Sequence, residues 1–456
     1  MFSYEKTDQT LPILLVAENN LAEVTAMLPD FVRNWLRVND FRGRRGEVCL
    51  LPGPDGGVQR VLAGLDPSDG MRWALAGLPE KLPEGDYFLD GDWMADDLID
   101  AAVGWGLGCY RFDQYRQGEK KILPRLLVEH DPDRVNALVE AVTLVRNLIN
   151  TPANQMMPQD LEEVMSRLAE VHEAEFHAVT GNALLTENFP AIHAVGRASV
   201  HAPRLLELNW GDEDDPLITL VGKGVCFDTG GLDIKSSSGM RLMKKDMGGA
   251  AHALGLAKLI MQLELPVSLQ VLIPAVDNAI AGDAFRPGDI LATRAGKSVE
   301  VENTDAEGRL ILCDALAYGA ESDPDVMIDF ATLTGAARVA LGTEIPVFFA
   351  NDRSLMQKLQ SASARSSELI WNLPLHRPYL DKLKSQTADL MNAGDSYGGA
   401  ITAALFLNEF VPEQLSWVHF DVMAWNLRAR PGRPTGGEAM GLLAVFEYLE
   451  DEFGEE

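Results

Sequence analysis

LITLVGKGVCFD, residues 217–228, joins a short apolar run to a group of glycines and charged side chains. The run Leu217–Val221 has the composition of a buried strand and is bounded by Pro216 and Gly222. Later apolar runs alternate with helical stretches, at Leu269–Ile273, Val326–Phe330, Val347–Ala350 and Val418–Val422. This alternation predicts an α/β fold, with a mixed, mostly parallel central sheet flanked by helices.

The amino-terminal part has weaker signals of the same kind. Candidate strands at Ile13–Ala17 and Val48–Leu51 and a Gly/Pro turn at 52–57 predict a smaller α/β domain. From Pro132, apolar residues recur at helical spacing as far as Asn150, which predicts one connecting helix. The predicted division is therefore 1–131, a helix at 132–152, and a larger domain at 153–456. The acidic residues 450–456 are predicted to be disordered.

Composition narrows the classes of function. A chain of 456 residues that is 46% hydrophobic can bury sizeable cores. Its formal net charge of -29 makes binding to nucleic acid or to an anionic membrane unlikely, because both favour cationic proteins. The four cysteines lack the spacing of a disulfide framework. The early apolar run Leu11–Ala17 is too short for a membrane span, and it follows Glu5 and Asp8, so it does not resemble a signal peptide. We therefore expect a cytoplasmic protein with reduced thiols.

Charged residues follow the Leu217–Val221 run closely. Lys223, Asp228, Lys235 and Asp246 are interleaved with glycines that let the backbone turn sharply. In open α/β sheets, ligands bind beyond the carboxyl ends of the strands. These four side chains are therefore candidates for one crevice.

A second charged group lies at Asn303–Leu310. Asp305, Glu307 and Arg309 occupy every second position, and in an extended segment they would point to the same side. Two carboxylates so close repel each other unless a cation lies between them. A divalent metal ion would supply that cation, whereas the same pattern in isolation is more often a solvated turn.

Counting the candidate ligands favours a pair of metal ions. Asp228, Asp246, Asp305 and Glu307 together exceed what one catalytic zinc takes from protein. A carboxylate-bridged metal pair activates water and stabilises an oxyanion, which indicates hydrolysis. Either Lys223 or Lys235 could add a neutral amine ligand, because burial and nearby dications both favour the uncharged amine.

With these residues in place, the chain resembles the leucyl aminopeptidase family. The resemblance is carried by VGKGVCFDTGG, MKKDMGGAA and NTDAEGRL, is supported by ATLTGA at 331–336 and GAITAAL at 399–405, and covers roughly residues 145 to 445. It implies five metal ligands, which are Lys223, Asp228, Asp246, Asp305 and Glu307. It also implies two catalytic residues that bind no metal, Lys235 and Arg309.

The resemblance further implies a mechanism and an assembly. Two divalent ions, Zn or Mn with Mg or Co as further candidates, bind the free α-amine and the scissile carbonyl of a peptide and activate a water. Lys235 stabilises the gem-diolate, and Arg309 holds a bicarbonate ion that acts as general base. The residues that would contact an apolar substrate residue such as leucine are Met243, Thr332, Leu333 and Gly335. Members of the family are typically homohexamers, arranged as a dimer of trimers.

Two other functions compete with a peptidase. A two-metal phosphoester hydrolase could use the same ligands, but the sequence around Lys223 lacks a P-loop pattern. A non-enzymatic binding protein with a relic site is disfavoured by the intact ligand set. The chain departs from the family pattern at Thr229, where serine is usual, and at Lys245, which we expect to point to solvent.

Overall fold

The computed structural model describes residues 1–26, 28–53, 56–118 and 121–454. The chain forms two compact units, one of Met1–Thr143 with Arg428–Thr435, the other of Leu144–Leu427 with Gly436–Glu456. The inclusion of Arg428–Thr435 in the smaller unit has no counterpart in the sequence analysis. The division into 1–131, 132–152 and 153–456 stays a prediction.

The smaller unit is an α/β sheet structure. Its strands are β1 Phe2–Ser3, β2 Leu11–Val16, β3 Val48–Pro52, β4 Val58–Gly64, β5 Asp86–Asp90 and β6 Arg125–Leu127. Its helices are α1 Leu21–Ala26, α2 Asp30–Val38, α3 Met71–Ala74 and α4 Ala95–Cys109. The strand order is β1-β6-β5-β2-β4-β3, and β3 runs antiparallel to β4 while the other pairs are parallel. Both strands predicted here are confirmed.

The predicted connecting helix is present as α5, Pro132–Asn150. Its apolar residues Val135, Val142 and Ile149 are buried, as the helical spacing required. Near its end, the buried Arg146 Nη2 donates to Glu438 Oε1 at 2.9 Å within the larger unit. This buried ion pair fixes the end of α5 to a segment almost three hundred residues away in sequence.

The larger unit contains the remaining elements. Its strands are β7 Glu175–Thr180, β8 Arg204–Trp210, β9 Leu217–Gly222, β10 Gly224–Asp228, β11 Ser268–Asn278, β12 Ile290–Ala292, β13 Ser298–Glu300, β14 Val326–Ala331, β15 Val347–Ala350, β16 Trp371–Asn372, β17 Leu390–Met391, β18 Trp417–Asp421, β19 Trp425–Asn426 and β20 Gly436–Gly437. Its helices are α6 Pro158–Val171, α7 Ala183–Thr186, α8 Pro190–Gly196, α9 Ser237–Met240, α10 Gly248–Gln262, α11 Glu307–Ala320, α12 Gly335–Leu341, α13 Arg353–Arg365, α14 Gly399–Asn408 and α15 Leu442–Phe453. Short 3-10 turns lie at Ala153–Gln155, Met243–Lys245 and Arg377–Leu383 in this unit, and at Pro67–Asp69 in the smaller one.

The main sheet has the order β16-β15-β18-β14-β9-β11-β8-β7, with β10 also paired to β11. The central strands β18, β14, β9, β11 and β10 are parallel, whereas β7 with β8, β8 with β11 and β15 with β18 are antiparallel. The predicted mixed, mostly parallel sheet is confirmed. The five strands predicted in this region are present, and β11 is longer than expected because its pairing continues to Asn278.

Helices cover both faces of this sheet. A side chain on Gly319 of α11 would collide with Thr219, while a Cβ on Gly222 would meet Ala250 of α10. Residues 219 and 222 point to opposite sides of β9, so α10 and α11 lie on opposite faces. Close helix packing on both faces explains why these strands are almost continuously apolar.

Two smaller predictions have different outcomes. Disorder at 450–456 is wrong for Glu450–Phe453, which form the last turn of α15; residues 455 and 456 lie outside the described residues. The predicted turn at 52–57 includes Pro54 and Asp55, which are likewise outside them.

All four cysteines are buried and unbridged. Among the helices of the described ranges, none is both long enough and apolar enough to cross a membrane.

His252 on α10 gives the larger unit a predictable dependence on pH. The buried ring lies with Nδ1 2.6 Å from the Gly248 carbonyl, and Nε2 accepts the Met440 N–H at 2.8 Å. The Nε2 contact requires the neutral ring, because a protonated Nε2 cannot accept a hydrogen bond, and burial lowers the pKa of His252 from 6.5 to about 4. Between these two pKa values the unfolded chain binds the proton more readily than the folded chain. The contribution of His252 to the free energy of unfolding is therefore fully present above pH 6.5 and is lost as the pH falls towards 4.

We expect this one group to remove about 2 kcal/mol of unfolding free energy at pH 5 relative to pH 7.5. Urea unfolding of wild type and His252→Gln at both pH values measures the effect, since glutamine does not titrate. The wild-type protein should lose more stability than the variant on acidification. Equal losses would show that His252 is not held neutral.

Candidate active site

The candidate residues lie at one edge of the main sheet of the larger unit. Lys223 follows β9, Asp228 ends β10 and Thr332 follows β14, all at the carboxyl ends of parallel strands. Asn278 at the end of β11 and Asp421 at the end of β18 lie at the same edge. This is the edge at which ligands bind in open α/β sheets.

Lys223 lies at the centre of a first group of charges. Its Nζ is 2.7 Å from Asp246 Oδ2 and 3.0 Å from Glu307 Oε1, and all three side chains are buried. Burial lowers the pKa of Lys223, but the charges of Asp246, Glu307 and Asp228 outweigh it and raise the pKa above its usual value. The arrangement thus brings together three residues from separate parts of the sequence.

Gly308 explains how the lysine reaches Glu307. A Cβ at this position would come within 2.4 to 2.7 Å of the Lys223 side chain. The lysine therefore crosses the first turn of α11 where the helix has no side chain. A glycine between Glu307 and Arg309 is required by this close approach.

Lys235 joins a second group. Its Nζ lies 2.8 Å from Asp228 Oδ2 and also contacts Asp305 Oδ1. The other oxygen of Asp228 accepts the Gly230 N–H at 2.8 Å and the Asn278 Nδ2–H at 2.9 Å. Burial opposes the charge on Lys235, but Asp228 and Asp305 together raise the pKa of the lysine.

The two groups meet at Asp228, Asp305 and Glu307. Each offers one carboxylate oxygen, and these oxygens lie within 4.8 Å of one another, an arrangement that could hold a metal ion. Burial, followed by repulsion from Asp228, raises the pKa of Asp305 to about 6 and that of Glu307 to about 8. Crowded acids of this kind are stabilised in their ionised form by a cation.

One oxygen of Glu307 shows that the site can accept a further ligand. Glu307 Oε2 is buried and has no hydrogen-bond partner in the described part of the chain. A buried carboxylate oxygen without a partner costs free energy that a bound cation would recover. The donor set of carboxylate oxygens with an amine is therefore suited to divalent metal ions.

The extended segment predicted at 305–309 is wrong. Glu307 and Arg309 lie in the first turn of α11, where residues two apart are separated by about 200° around the helix axis. Arg309 therefore does not share a helix face with Glu307, and its Nη1 donates to the Asn392 carbonyl at 2.6 Å. The Arg309 side chain is buried, which lowers its pKa to about 10, and its Nε has no hydrogen-bond partner among the described residues.

Two of the residues predicted to contact substrate, Thr332 and Met243, are hydrogen-bonded to Asp246 of this cluster. Thr332 Oγ1 donates to Asp246 Oδ1 at 2.7 Å, and the Met243 carbonyl accepts the Asp246 N–H at 3.2 Å. Leu333 donates its N–H to Asp421 Oδ1 at 3.0 Å. Gly335 begins α12, and a Cβ there would meet open space.

The expectation for Lys245 is wrong. The side chain is buried rather than solvated, and burial together with the charge of Arg338 lowers its pKa to about 7. The Met243–Lys245 turn is the reason, because it directs residue 245 inward just before Asp246. Its neighbour Lys244 instead donates to the Asn150 carbonyl at 2.5 Å.

Several polar residues around the cluster were missed by the sequence analysis. Asn278 bonds Asp228, and Thr304 Oγ1 donates to the Gly230 carbonyl at 2.7 Å. Asn392 bonds the segment that leads to Asp305. Single asparagines and threonines carry no spacing signal, and only the position of Thr304 beside Asp305 could have suggested a role.

Comparison with known proteins agrees with the fold. Residues 143–445 match the cytosol aminopeptidase family, catalytic domain, and residues 11–128 match the M17 aminopeptidase, N-terminal domain. A probable cytosol aminopeptidase of Desulfovibrio desulfuricans is 36% identical over 91% of each chain. One from Aquifex aeolicus is 34% identical over 98% of this chain and 94% of its own.

Solved structures give the same result. The crystal structure of cytosol aminopeptidase from Coxiella burnetii superposes with a TM-score of 0.96, is 46% identical, and 99% of each chain is covered. The bottromycin maturation enzyme BotP in complex with Mn has a TM-score of 0.88 and is 31% identical, covering 98% of this chain and 100% of its own. The protein is therefore a hydrolase, an aminopeptidase, and it belongs to the cytosol aminopeptidase (M17 leucyl aminopeptidase) family.

Proposed function

We propose that this aminopeptidase depends on two divalent metal ions. The residues that would hold them are Lys223, Asp228, Asp246, Asp305 and Glu307. The observation that carries the proposal is the convergence of four carboxylates and an amine at the carboxyl ends of the strands, where Glu307 Oε2 is buried and has no hydrogen-bond partner in the part of the chain that the structure describes. Four carboxylates balance the charge of two dications.

The donor set suits several divalent metal ions. Oxygen ligands with one amine suit Zn and Mn, and Mg or Co also fit. BotP, a structural relative, is described in complex with Mn. Mn is therefore the first metal to test, with Zn second.

When bound, the metal ions lower the pKa of a water and polarise the peptide carbonyl, so that hydrolysis proceeds at neutral pH. Lys235 supplies a cationic hydrogen-bond donor in addition to the metal ions. It lies between Asp228 and Asp305, and its charge is maintained by both. From there Lys235 Nζ donates a hydrogen bond to the oxyanion that develops as the carbonyl becomes a gem-diolate.

Arg309 is proposed to hold a bicarbonate ion. Its Nη1 is fixed by the Asn392 carbonyl, while its buried Nε has no hydrogen-bond partner among the described residues and can donate to a small oxyanion. Bound at Arg309, a bicarbonate ion would supply a general base for the attacking water. The guanidinium remains charged at neutral pH despite its lowered pKa of about 10.

The proposed substrates are peptides with a free α-amine and an apolar first residue such as leucine. Met243, Thr332, Leu333 and Gly335 are the proposed contacts for that residue. A free amine is required because it supplies a second anchor that aligns the carbonyl. A cytoplasmic location and a homohexamer, as a dimer of trimers, complete the proposal, and light scattering that returned a monomer mass would contradict the assembly.

One assay tests the proposed chemistry. We expect release of leucine from leucine amide, none from its N-acetylated form, and loss of activity after a chelator with recovery on addition of Mn or Zn. A phosphoester substrate included in parallel should not be hydrolysed. Activity that survives complete removal of metal, or equal turnover of the acetylated amide, would contradict the proposal.

A further inference from the structure

Asn392 uses every hydrogen bond that an asparagine side chain can make. Its Oδ1 accepts the N–H groups of Glu302 at 2.8 Å and Asn303 at 3.1 Å. Its Nδ2 donates to the carbonyls of Asn303 at 2.7 Å and Ala306 at 3.2 Å. The residue is 0% exposed. An amide group has two acceptor sites and two donor hydrogens, so its capacity is filled.

The backbone of Asn392 extends this contact in both directions. Its N–H donates to the Glu300 carbonyl at 3.0 Å, which continues the parallel pairing of β17 with β13. Its carbonyl accepts Arg309 Nη1 at 2.6 Å. The same residue thus holds the chain before Asp305 and the guanidinium two residues after Glu307.

The segment held in this way is short and carries two of the clustered carboxylates. Thr304 fixes its other side, since Thr304 Oγ1 donates to the Gly230 carbonyl at 2.7 Å and accepts the Asp233 N–H at 2.8 Å. Asp305 itself is partly exposed and has no comparable set of backbone contacts: its N–H donates to Asn303 Oδ1 at 2.7 Å. The position of Asp305 therefore depends on how rigidly residues 302–306 are held.

We propose that Asn392 is a positioning residue for the metal site: its side chain fixes residues 302–306 so that Asp305 and Glu307 face Asp228. This inference rests on the proposed function, because it concerns the ligands of the proposed ions. Replacing a residue that orients metal ligands without binding the metal itself changes metal affinity or activity by about 10- to 100-fold. Asn392 acts through the loop and touches neither substrate nor carboxylate.

The test compares Asn392→Ala with Asn351→Ala. Asn351 makes a similar pair of contacts far from the cluster in sequence, donating to the Leu415 carbonyl at 2.8 Å and accepting the Trp417 N–H at 2.9 Å. Mn2+ affinity of metal-stripped protein is measured by calorimetry, thermal unfolding by circular dichroism, and kcat and KM with leucine amide. A purely structural role would lower the unfolding temperature of both variants and leave the Mn2+ affinity of both unchanged.

We expect the Mn2+ dissociation constant of Asn392→Ala to rise about 10- to 100-fold, with a fall in kcat at saturating metal, while Asn351→Ala binds Mn2+ like wild type. A folded Asn392→Ala with wild-type Mn2+ affinity would overturn the proposal. Should that variant not fold, Asn392→Asp decides, because it keeps the shape and the accepted bonds but loses both donated ones. Its added negative charge favours cation binding, so a weaker affinity there reports loop geometry.

The arms also separate the two proposals. If wild type hydrolyses leucine amide in a metal-dependent way, and Asn392→Ala and Asn392→Asp have the same Mn2+ affinity and activity as wild type, only the positioning role is overturned. Wild type that binds Mn2+ but releases no leucine would overturn the proposed function, and the affinities would still decide the role of Asn392. Wild type that binds no divalent metal would overturn both.

Discussion

Glu307→Ala and Asp305→Ala are each expected to lower kcat/KM for leucine amide by about 10³-fold or more. The proposed metal ions would contribute several kcal/mol of transition-state stabilisation, and about 4 kcal/mol corresponds to three powers of ten in rate. Glu307 lies at the junction of the two charge groups, between Lys223 and the carboxylates of Asp228 and Asp305. Its loss removes a ligand that other described carboxylates do not replace at that point.

Steady-state kinetics at saturating Mn2+ measures the effect, with Glu302→Gln as the matched control. Glu302 lies in the same segment but is exposed, and only its backbone N–H contributes to the contacts of that segment. The control should keep wild-type activity. Wild-type turnover in either alanine variant would show that the assigned ligand set is wrong.

Lys235→Ala has the second-largest expected effect, a fall in kcat of about 10²-fold with little change in KM. An oxyanion donor that acts mainly in the transition state contributes about 3 kcal/mol, and its loss appears in kcat. The 2.8 Å contact with Asp228 also places this ammonium beside proposed metal ligands. Removing a cation there should leave Mn2+ affinity unchanged or increase it.

Measured Mn2+ affinity therefore distinguishes loss of catalysis from loss of metal. A Lys235→Ala variant that binds Mn2+ at least as tightly as wild type, with depressed kcat, supports the assigned role. Lys384→Ala is the control, since Lys384 is an exposed lysine paired with Asp381. If Lys235→Ala bound Mn2+ much more weakly, Lys235 would belong among the ligands.

The sequence was sufficient to predict the central sheet because its strands are almost fully apolar. Leu217–Val221 and Val326–Phe330 correspond to β9 and β14, and α5 occupies the predicted stretch. The candidate cluster could also be predicted, because charged residues follow the apolar runs and therefore lie at the carboxyl ends of the parallel strands. Strand β7, at one edge of the sheet, and its neighbour β8 were missed, since both contain incompletely buried polar residues that weaken the apolar pattern.

The sequence failed where side-chain direction depends on tertiary structure. Alternation at 305–309 suggested an extended segment, but α11 begins at Glu307 and turns Arg309 towards Asn392. Lys245 was expected in solvent, although a short 3-10 turn buries it. Asn392 follows a two-residue strand, and its partners lie some ninety residues earlier in the chain. Contacts over that separation cannot be inferred from local patterns.

The central claim is that five side chains hold a pair of divalent ions. Crystals soaked in MnCl2 and measured at the Mn absorption edge test it most directly. We predict two anomalous peaks, each about 2.0 to 2.3 Å from ligand atoms drawn from Lys223, Asp228, Asp246, Asp305 and Glu307. A map without peaks there, with Lys223 and Lys235 still paired to the carboxylates, would contradict the account.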